Sequence, residues 1–315
     1  NWNKKSEDPM NVVDAIKRSC NTWFYVVGRN TGSDAVLATA RNLGFGSPVG
    51  LPFQGENAGS IPDNAAHRKK FGFPIRGGDL ANISIGQGAV TATPLQVARA
   101  MAAIGTGNFL TELRLVRQIQ DINNDVVRTV PEPVRLPLQV SEGNLDIVRK
   151  GMVAVVSGSG GTGKKAAIPQ AQVAGKTGTA QWDIANKRNL AWFAGFVPAT
   201  NPRFAFAAVY EGNPGEKVGG GSKAAPIVGA FLKEYLTQKN LAKMEARSSE
   251  IAARDRNLLA SVSLGTGTIY QGAGSPEDVD EGFEINPDDR RRALRPRSSD
   301  PNSGGLFRGL FRKRR

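Results

Sequence analysis

From Val173 the spacing of apolar residues changes from a helical period to a period of two. Three such segments follow in close succession: Val173 to Trp182, Asn189 to Val197 and Arg203 to Glu211, separated by the turn-rich stretches Asp183 to Arg188 and Pro198 to Pro202. Alternating segments joined by short turns predict an antiparallel meander. In the last segment Phe204, Phe206, Ala208 and Tyr210 alternate with Ala205, Ala207 and Val209, so both faces are apolar and one is small. Such a sheet must be covered on both sides, and the small face lets helices approach closely. The expected fold class is therefore α/β, an antiparallel sheet sandwiched between helices.

The rest of the chain supplies those helices. Asn11 is placed to cap a short helix carrying Val12, Val13 and Ile16 that stops near Ser19, and a second helical run holds Trp23, Phe24, Val26 and Val27. Ser19-Cys20-Asn21 thus falls at a helix-helix junction, where polar side chains project into a cleft. Ser33 is expected to cap the next helix and Gly44 to end it in the left-handed conformation. Residues 45 to 92, rich in Gly, Pro and Asn, read as a long irregular excursion, a length that marks functional surfaces more often than simple connectors. Thr93-Pro94 opens a helix bearing Leu95, Val97, Ala98, Met101 and Ala102. Leu113 to Gln120 and Asp125 to Val130, flanking Asn123-Asn124, predict a hairpin. Ser141 is placed to cap a helix through Leu145, Val148, Met152 and Val155. Ser222 or Ala225 is placed to cap a last helix, whose stripe of Ile227, Val228, Phe231, Leu232, Tyr235 and Leu236 is expected to face the sheet. The core domain is assigned to residues 1–238. Residues 239–315, with an acidic run from Pro276 to Glu284 and a basic run from Arg290 to Arg297, are expected to form a mostly disordered tail.

Composition removes several function classes. One cysteine and one histidine leave no material for a disulfide framework, a zinc site or a cysteine-histidine dyad, so no metal or cofactor is expected. Cys20 and His67 are read as structural or surface residues, and Trp182 and Trp192 as core. A net charge of +13 raises anionic partners, but there is no RNA-binding signature, zinc finger or arginine-aromatic alternation, and nucleic acid is not expected. Gly158 to Lys165 approaches a phosphate-binding loop yet fails it twice: Lys165 stands where a magnesium-holding hydroxyl belongs, and the segment follows a predicted helix instead of a strand. No stretch approaches the roughly 20 apolar residues of a membrane span. The start, Asn1-Trp2-Asn3-Lys4-Lys5, carries neither a leader core nor Met, and the fold is expected to be incomplete at its N-terminus.

Two short elements carry chemistry. Lys176-Thr177-Gly178-Thr179 opens the first strand of the meander and offers a cation, two hydroxyls suited to a carboxylate, and backbone that a ligand can approach because Gly178 has no side chain. Ser19-Cys20-Asn21 is weaker alone. Together, and in this order, they match the last two of the S-x-x-K, S-x-N and K-T-G elements of acylating serine enzymes.

The resemblance then extends well beyond these motifs. The chain resembles the class B penicillin-binding proteins, most of all the elongation type (penicillin-binding protein 2), over residues 1 to about 237. The residues that carry it are Ser19-Cys20-Asn21-Thr22-Trp23-Phe24-Tyr25, Gly55-Glu56-Asn57-Ala58-Gly59 with Ile61-Pro62, Gly78-Asp79 leading to Ile85-Gly86-Gln87-Gly88, Thr91-Ala92-Thr93-Pro94-Leu95-Gln96, and Lys176-Thr177-Gly178-Thr179-Ala180-Gln181. It implies the fold shared by penicillin-binding transpeptidases and serine β-lactamases. It also implies a reaction in which a serine attacks the penultimate D-alanine carbonyl of a stem peptide, D-alanine leaves, and an amine of a neighbouring strand resolves the acyl-enzyme into a cross-link.

By the same resemblance Ser19 relays a proton between lysines and the leaving amine, and Asn21 orients the substrate backbone. Lys176 supplies positive charge, Thr177 and Thr179 bind the substrate carboxylate, Gly178 lets backbone approach, and the Thr179 N–H is one oxyanion-hole donor. One departure stands out: no serine in the chain is followed three residues later by lysine, so the nucleophile and its base are expected upstream of Asn1. A non-catalytic β-lactam sensor or cell-wall scaffold, and a β-lactamase or D,D-carboxypeptidase, are the alternatives. The implied partners are stem peptides and lipid-linked precursor strands, β-lactams, and a membrane glycosyltransferase of the elongation complex. The implied location is the outer face of the bacterial cytoplasmic membrane, with an anchor preceding this sequence.

Overall fold

The computed structural model describes residues 9–52, 55–107, 109–237 and 240. The chain enters through α1 (Val12–Arg18), whose first turn is closed by the Asn11 side chain accepting from the Asp14 N–H at 3.0 Å. Next come α2 (Asn21–Thr31) and α3 (Ser33–Asn42). Ser33 does not cap α3. Gly32 holds that position, and the Ser33 hydroxyl accepts instead from Asn64 at 2.9 Å. The other end behaves as expected: Gly44 has φ 86°, its N–H bonds Arg41 O, and the Phe45 N–H reaches back to Ala40 O, the double closure of a helix ending on a left-handed residue.

The excursion 45–92 is not without structure. It holds two short helices, α4 (Asn64–Phe71) and α5 (Gly77–Ile83). Buried Asn64 ties them to α3, donating to Ser33 and Asp34 and accepting from the Ile75 N–H at 2.9 Å. Neither helix is long enough, nor α4 apolar enough, to show a period in sequence. α6 (Pro94–Thr106) then starts as expected, with Thr93 and Gln96 capping each other reciprocally.

The predicted hairpin is β2 (Gln118–Gln120) with β3 (Val126–Thr129). It is bracketed by a pair the sequence does not announce, β1 (Phe109–Thr111) with β4 (Arg135–Pro137), each too short for alternation to register. α7 (Glu142–Ser157) follows the Ser141 cap, and a glycine-rich loop leads through a 3₁₀ turn (Lys164–Ala166) into the meander. β5 (Ala174–Asp183), β6 (Arg188–Val197) and β7 (Phe204–Glu211) pair antiparallel in that order, so β5 lies at the sheet edge. A π turn (Gly220–Ala224) runs directly into α8 (Ala225–Tyr235). Neither Ser222 nor Ala225 caps it, because the helical winding has already begun.

Both sheet faces are covered. Ala174, Phe196 and Ala205 align across the three strands and pack against Met101 and Ile104 of α6 and Met152 of α7. α6 comes close because it presents Gly105, where an added Cβ would lie 2.8 Å from the Phe196 ring. On the opposite face Ala191, Phe193 and Val197 pack with Val228 and Leu232 of α8 and with Leu236, which caps its end. The expected stripe on α8 is too wide by half: Ile227 and Phe231 are 51% and 60% exposed, and Tyr235 is also exposed. At about 100° per residue, positions 227, 231 and 235 form a second line that turns away from the line 228, 232 and 236. Trp182 is likewise not core but 51% exposed, since it sits at the register shift near the β5–β6 hairpin end, with the Arg188 guanidinium 5.6 Å from its ring. The tail expected after Gln238 lies outside the described residues, Asn240 excepted.

Candidate active site

The site is assembled by one helix, α7, which packs on β5 and also carries α1. Gly151 of α7 lies under Ile16 of α1 so closely that a Cβ there would come within 2.8 Å of the Ile16 side chain. This seats the end of α1 beside the edge strand. α1 closes on Ser19 in the left-handed conformation (φ 53°), with the Ser19 N–H bonded to Ile16 O and the Cys20 N–H to Ala15 O. Glycine is the usual residue in that position, and a side chain there costs roughly 1 kcal/mol or more. A serine kept at a strained position points to a use for its hydroxyl.

That hydroxyl meets the lysine of the other motif. Lys176 Nζ donates to Ser19 Oγ at 2.7 Å and to Thr177 O at 2.8 Å, joining residues 157 apart in sequence. The Lys176 residue keeps a little exposure, but its ammonium is desolvated, and this burial lowers its pKa from 10.5 to about 8. A lysine so placed exchanges its proton in the physiological range, and its hydroxyl partner is positioned to pass that proton on. Asn21 opens α2 two residues from Ser19 and is half-buried.

The remaining motif residues follow along β5. Thr177 is 8% exposed, and its hydroxyl is 2.7 Å from that of Thr162 in the glycine-rich loop. Close approach at Gly178 is taken up by this chain itself, since a Cβ on Gly220 of the π turn would lie 2.7 Å from Gly178 O. Thr179 Oγ1 accepts from the Gly220 N–H at 3.4 Å, and Thr179 O accepts from Gln87 Nε2 at 3.0 Å. Among the described residues β5 pairs only with β6, so its other edge carries no partner strand, and side chains bond both Thr177 O and Thr179 O. A strand edge beside a buried cation and hydroxyl donors can bind an extended peptide that bears a carboxylate.

The structure thus brings Ser19 to the strand that carries Lys176, Thr177, Gly178 and Thr179, with Asn21 two residues along the chain from Ser19 and bonded to none of them. Two further residues reach it. Gln87 stands in the Ile-Gly-Gln-Gly segment, where residue type alone assigned it no partner. Thr162 stands in the stretch rejected as a phosphate loop, and no sequence signal connects it to Thr177. His67 stays apart, its Nδ1 2.8 Å from Phe73 O and its Nε2 3.9 Å from Asp79. Cys20 is buried and free.

With this geometry in place, similarity to known proteins becomes informative. Residues 1–233 match the family described as the penicillin binding protein transpeptidase domain. The chain is 33% identical over 258 residues to the peptidoglycan D,D-transpeptidase MrdA of Haemophilus influenzae, an alignment covering 76% of this chain and 38% of that relative. The chain therefore spans well under half of the relative's length. Among solved structures it is similar to Pseudomonas aeruginosa PBP2 in complex with WCK 5153, with 33% identity, a TM-score of 0.62, and 76% of this chain and 52% of that one covered. It is also similar to PBP2 from Helicobacter pylori in a complex with MreC, with 30% identity, a TM-score of 0.60, and coverage of 74% and 42%. An edge strand bearing Lys176-Thr177-Gly178-Thr179, a serine-bearing helix junction bonded to that lysine, and a match over most of the chain agree: this chain belongs to the penicillin-binding protein transpeptidase family.

Proposed function

We propose that this chain is the substrate-binding and proton-relay part of an elongation-type peptidoglycan D,D-transpeptidase. The observation that carries the reading is the 2.7 Å bond from desolvated Lys176 to the hydroxyl of Ser19, whose backbone is held in the left-handed conformation. In this reading the edge of β5 that carries no partner strand aligns a stem peptide whose terminal carboxylate is held by Lys176 and the hydroxyls of Thr177 and Thr179. Asn21 orients the peptide from the opposite wall. The Thr179 N–H stabilises the oxyanion as a serine upstream of Asn1 attacks the penultimate carbonyl, and Ser19 carries the proton to the departing D-alanine amine. An amine from a second strand then takes the acyl group. β-Lactams enter the same site because their carboxylate and strained amide place the same groups in the same positions.

The wider setting is also a proposal. A membrane glycosyltransferase would supply the lipid-linked strands, and the MreC complex of the Helicobacter pylori relative suggests an elongation assembly. The site would face outward from the cytoplasmic membrane on an anchor preceding this sequence. Among the described residues no helix is long and apolar enough to cross a membrane.

The test is covalent labelling followed by product analysis. Incubated with benzylpenicillin, the full-length protein should gain one adduct, mapped by mass spectrometry to a serine upstream of Asn1, and the 315-residue chain alone should gain none. With lipid-linked precursors and a glycosyltransferase it should yield cross-linked dimers. Release of D-alanine without cross-links would make it a carboxypeptidase, and an adduct on a serine of this chain would overturn the assignment of its nucleophile.

A further inference from the structure

The glycine-rich stretch Gly158 to Lys165, which fails as a phosphate loop, has a different use. Its glycines let it wedge between three elements. The Gly163 N–H bonds Val155 O at 2.9 Å, and Arg18 holds Gly160 O at 3.2 Å. A Cβ on Gly161 would lie 2.4 Å from Val155 O, and one on Gly163 would lie 2.9 Å from the Val155 side chain and 3.0 Å from Phe193. On the far side a Cβ on Gly221 of the π turn would come within 2.2 Å of Thr162 O. The one residue of the loop's apex with a branched side chain, Thr162, is thereby pressed against β5, its hydroxyl 2.7 Å from that of Thr177.

We propose that Thr162 is a positioning residue for the substrate carboxylate, because its hydroxyl donates to Thr177 Oγ1 and reserves the single Thr177 proton for the anion. The proposal rests on the reading of Thr177 as a carboxylate-binding hydroxyl. A threonine hydroxyl has one proton and two lone pairs, so of two bonded hydroxyls only one can keep a proton for a third group. A carboxylate accepts only, which forces the order Thr162 O–H to Thr177 O–H to carboxylate. In such a chain each bond polarises the next, and Thr177 has little freedom to turn away because it is almost wholly buried. Thr162 touches neither the reacting carbonyl nor the carboxylate. Its effect is confined to ligands that carry the anion.

That confinement supplies the test. In the full-length protein, the second-order acylation constant is measured for benzylpenicillin and for its methyl ester, which lacks the anion. Thr162→Val should lower the constant for the acid about three- to tenfold, the worth of one neutral hydrogen bond, and leave that for the ester unchanged. Thr162→Ser, which keeps the hydroxyl, should restore the acid constant, and Thr177→Val should show the same selectivity as Thr162→Val. The double variant should lose no more than Thr177→Val alone. If Thr177→Val lowers the acid selectively and Thr162→Val does not, the proposal falls and the reading of Thr177 stands. If Thr177→Val shows no selectivity, that reading falls and takes the proposal with it. Equal losses for acid and ester in Thr162→Val indicate mere packing and also overturn it. Should Thr162→Val lose its folded circular dichroism, Thr162→Ala carries the same comparison.

Discussion

Two regions meet the edge of β5, and they are built by opposite means. The α1–α2 junction reaches Lys176 through Ser19 and is held by apolar contact: Ile16 on Gly151, then Val155 and Met152 in the clusters on the two faces of the sheet. The excursion 45–92 reaches Thr179 through Gln87 and is held mainly by side chains bonding backbone. Gln96, 1% exposed, donates to Ser47 O and Ala58 O while accepting from the Thr93 N–H. Glu56 accepts from the Val49 and Gly50 N–H groups. Among its described residues the excursion buries only four apolar side chains, Val49, Leu51, Ile75 and Leu80, and the last two cluster with Leu37 of α3. Packed apolar contacts fix side chains closely, whereas segments with few buried apolar contacts and polar ties open at lower cost.

The sharpest division between the two regions is in catalysis. Lys176→Ala in the full-length protein should lower penicillin acylation about 10²- to 10³-fold with circular dichroism unchanged, as removal of a preorganised charge does. Ser19→Gly should match that loss. It should also leave the protein as stable or about 0.5–1 kcal/mol more stable in urea unfolding, because glycine relieves the left-handed cap. A fall in stability with Ser19→Gly would show that the hydroxyl is structural, and the contrast between the regions would collapse.

The lysine gives the junction a pH signature. Since burial lowers Lys176 to about 8, the acylation constant for a carboxylate-bearing β-lactam should decline above about pH 8 as the cation is lost, and Lys176→Arg should remove that limb. Between about 8 and 10.5 the unfolded chain binds more proton than the folded one, so the Lys176 contribution makes stability rise with pH over that window. The rise is at most about 3 kcal/mol. Denaturant unfolding at pH 7 and 10 should show it in the parent and not in Lys176→Met.

Packing separates the regions next. Gly151→Val, which drives a branched side chain into Ile16, should cost about 2–3 kcal/mol and reduce acylation by displacing α1. Phe71→Ser in the excursion, at a half-exposed position, should cost about 1 kcal/mol or less. The smallest effect should come from Gln87→Ala: acylation within about tenfold of the parent, but faster amide hydrogen exchange over residues 84–91 as the tie to Thr179 O is lost. A larger catalytic loss there than at Lys176 would reverse the comparison.

Local physics made much of this protein legible from its residues. Period-two alternation located β5, β6 and β7, a capping threonine and proline located α6, and Asn11 and Gly44 marked helix ends, because each of these signals is written within a few neighbouring residues. The two motifs of the site were recognisable for the same reason. Tertiary structure decided what those signals cannot carry. α4 and α5 are fixed by Asn64 bonding across to α3, which no window of sequence displays. Which line of apolar residues on α8 faces the sheet was settled by the winding that begins in the π turn. The partners of Thr177 and Thr179, Thr162 and Gln87, are hydroxyl and amide side chains of ordinary type whose reach depends on where glycine lets backbone come close. Hydrogen bonds between distant segments are set by the packing of the whole, and only the fold brings their ends together.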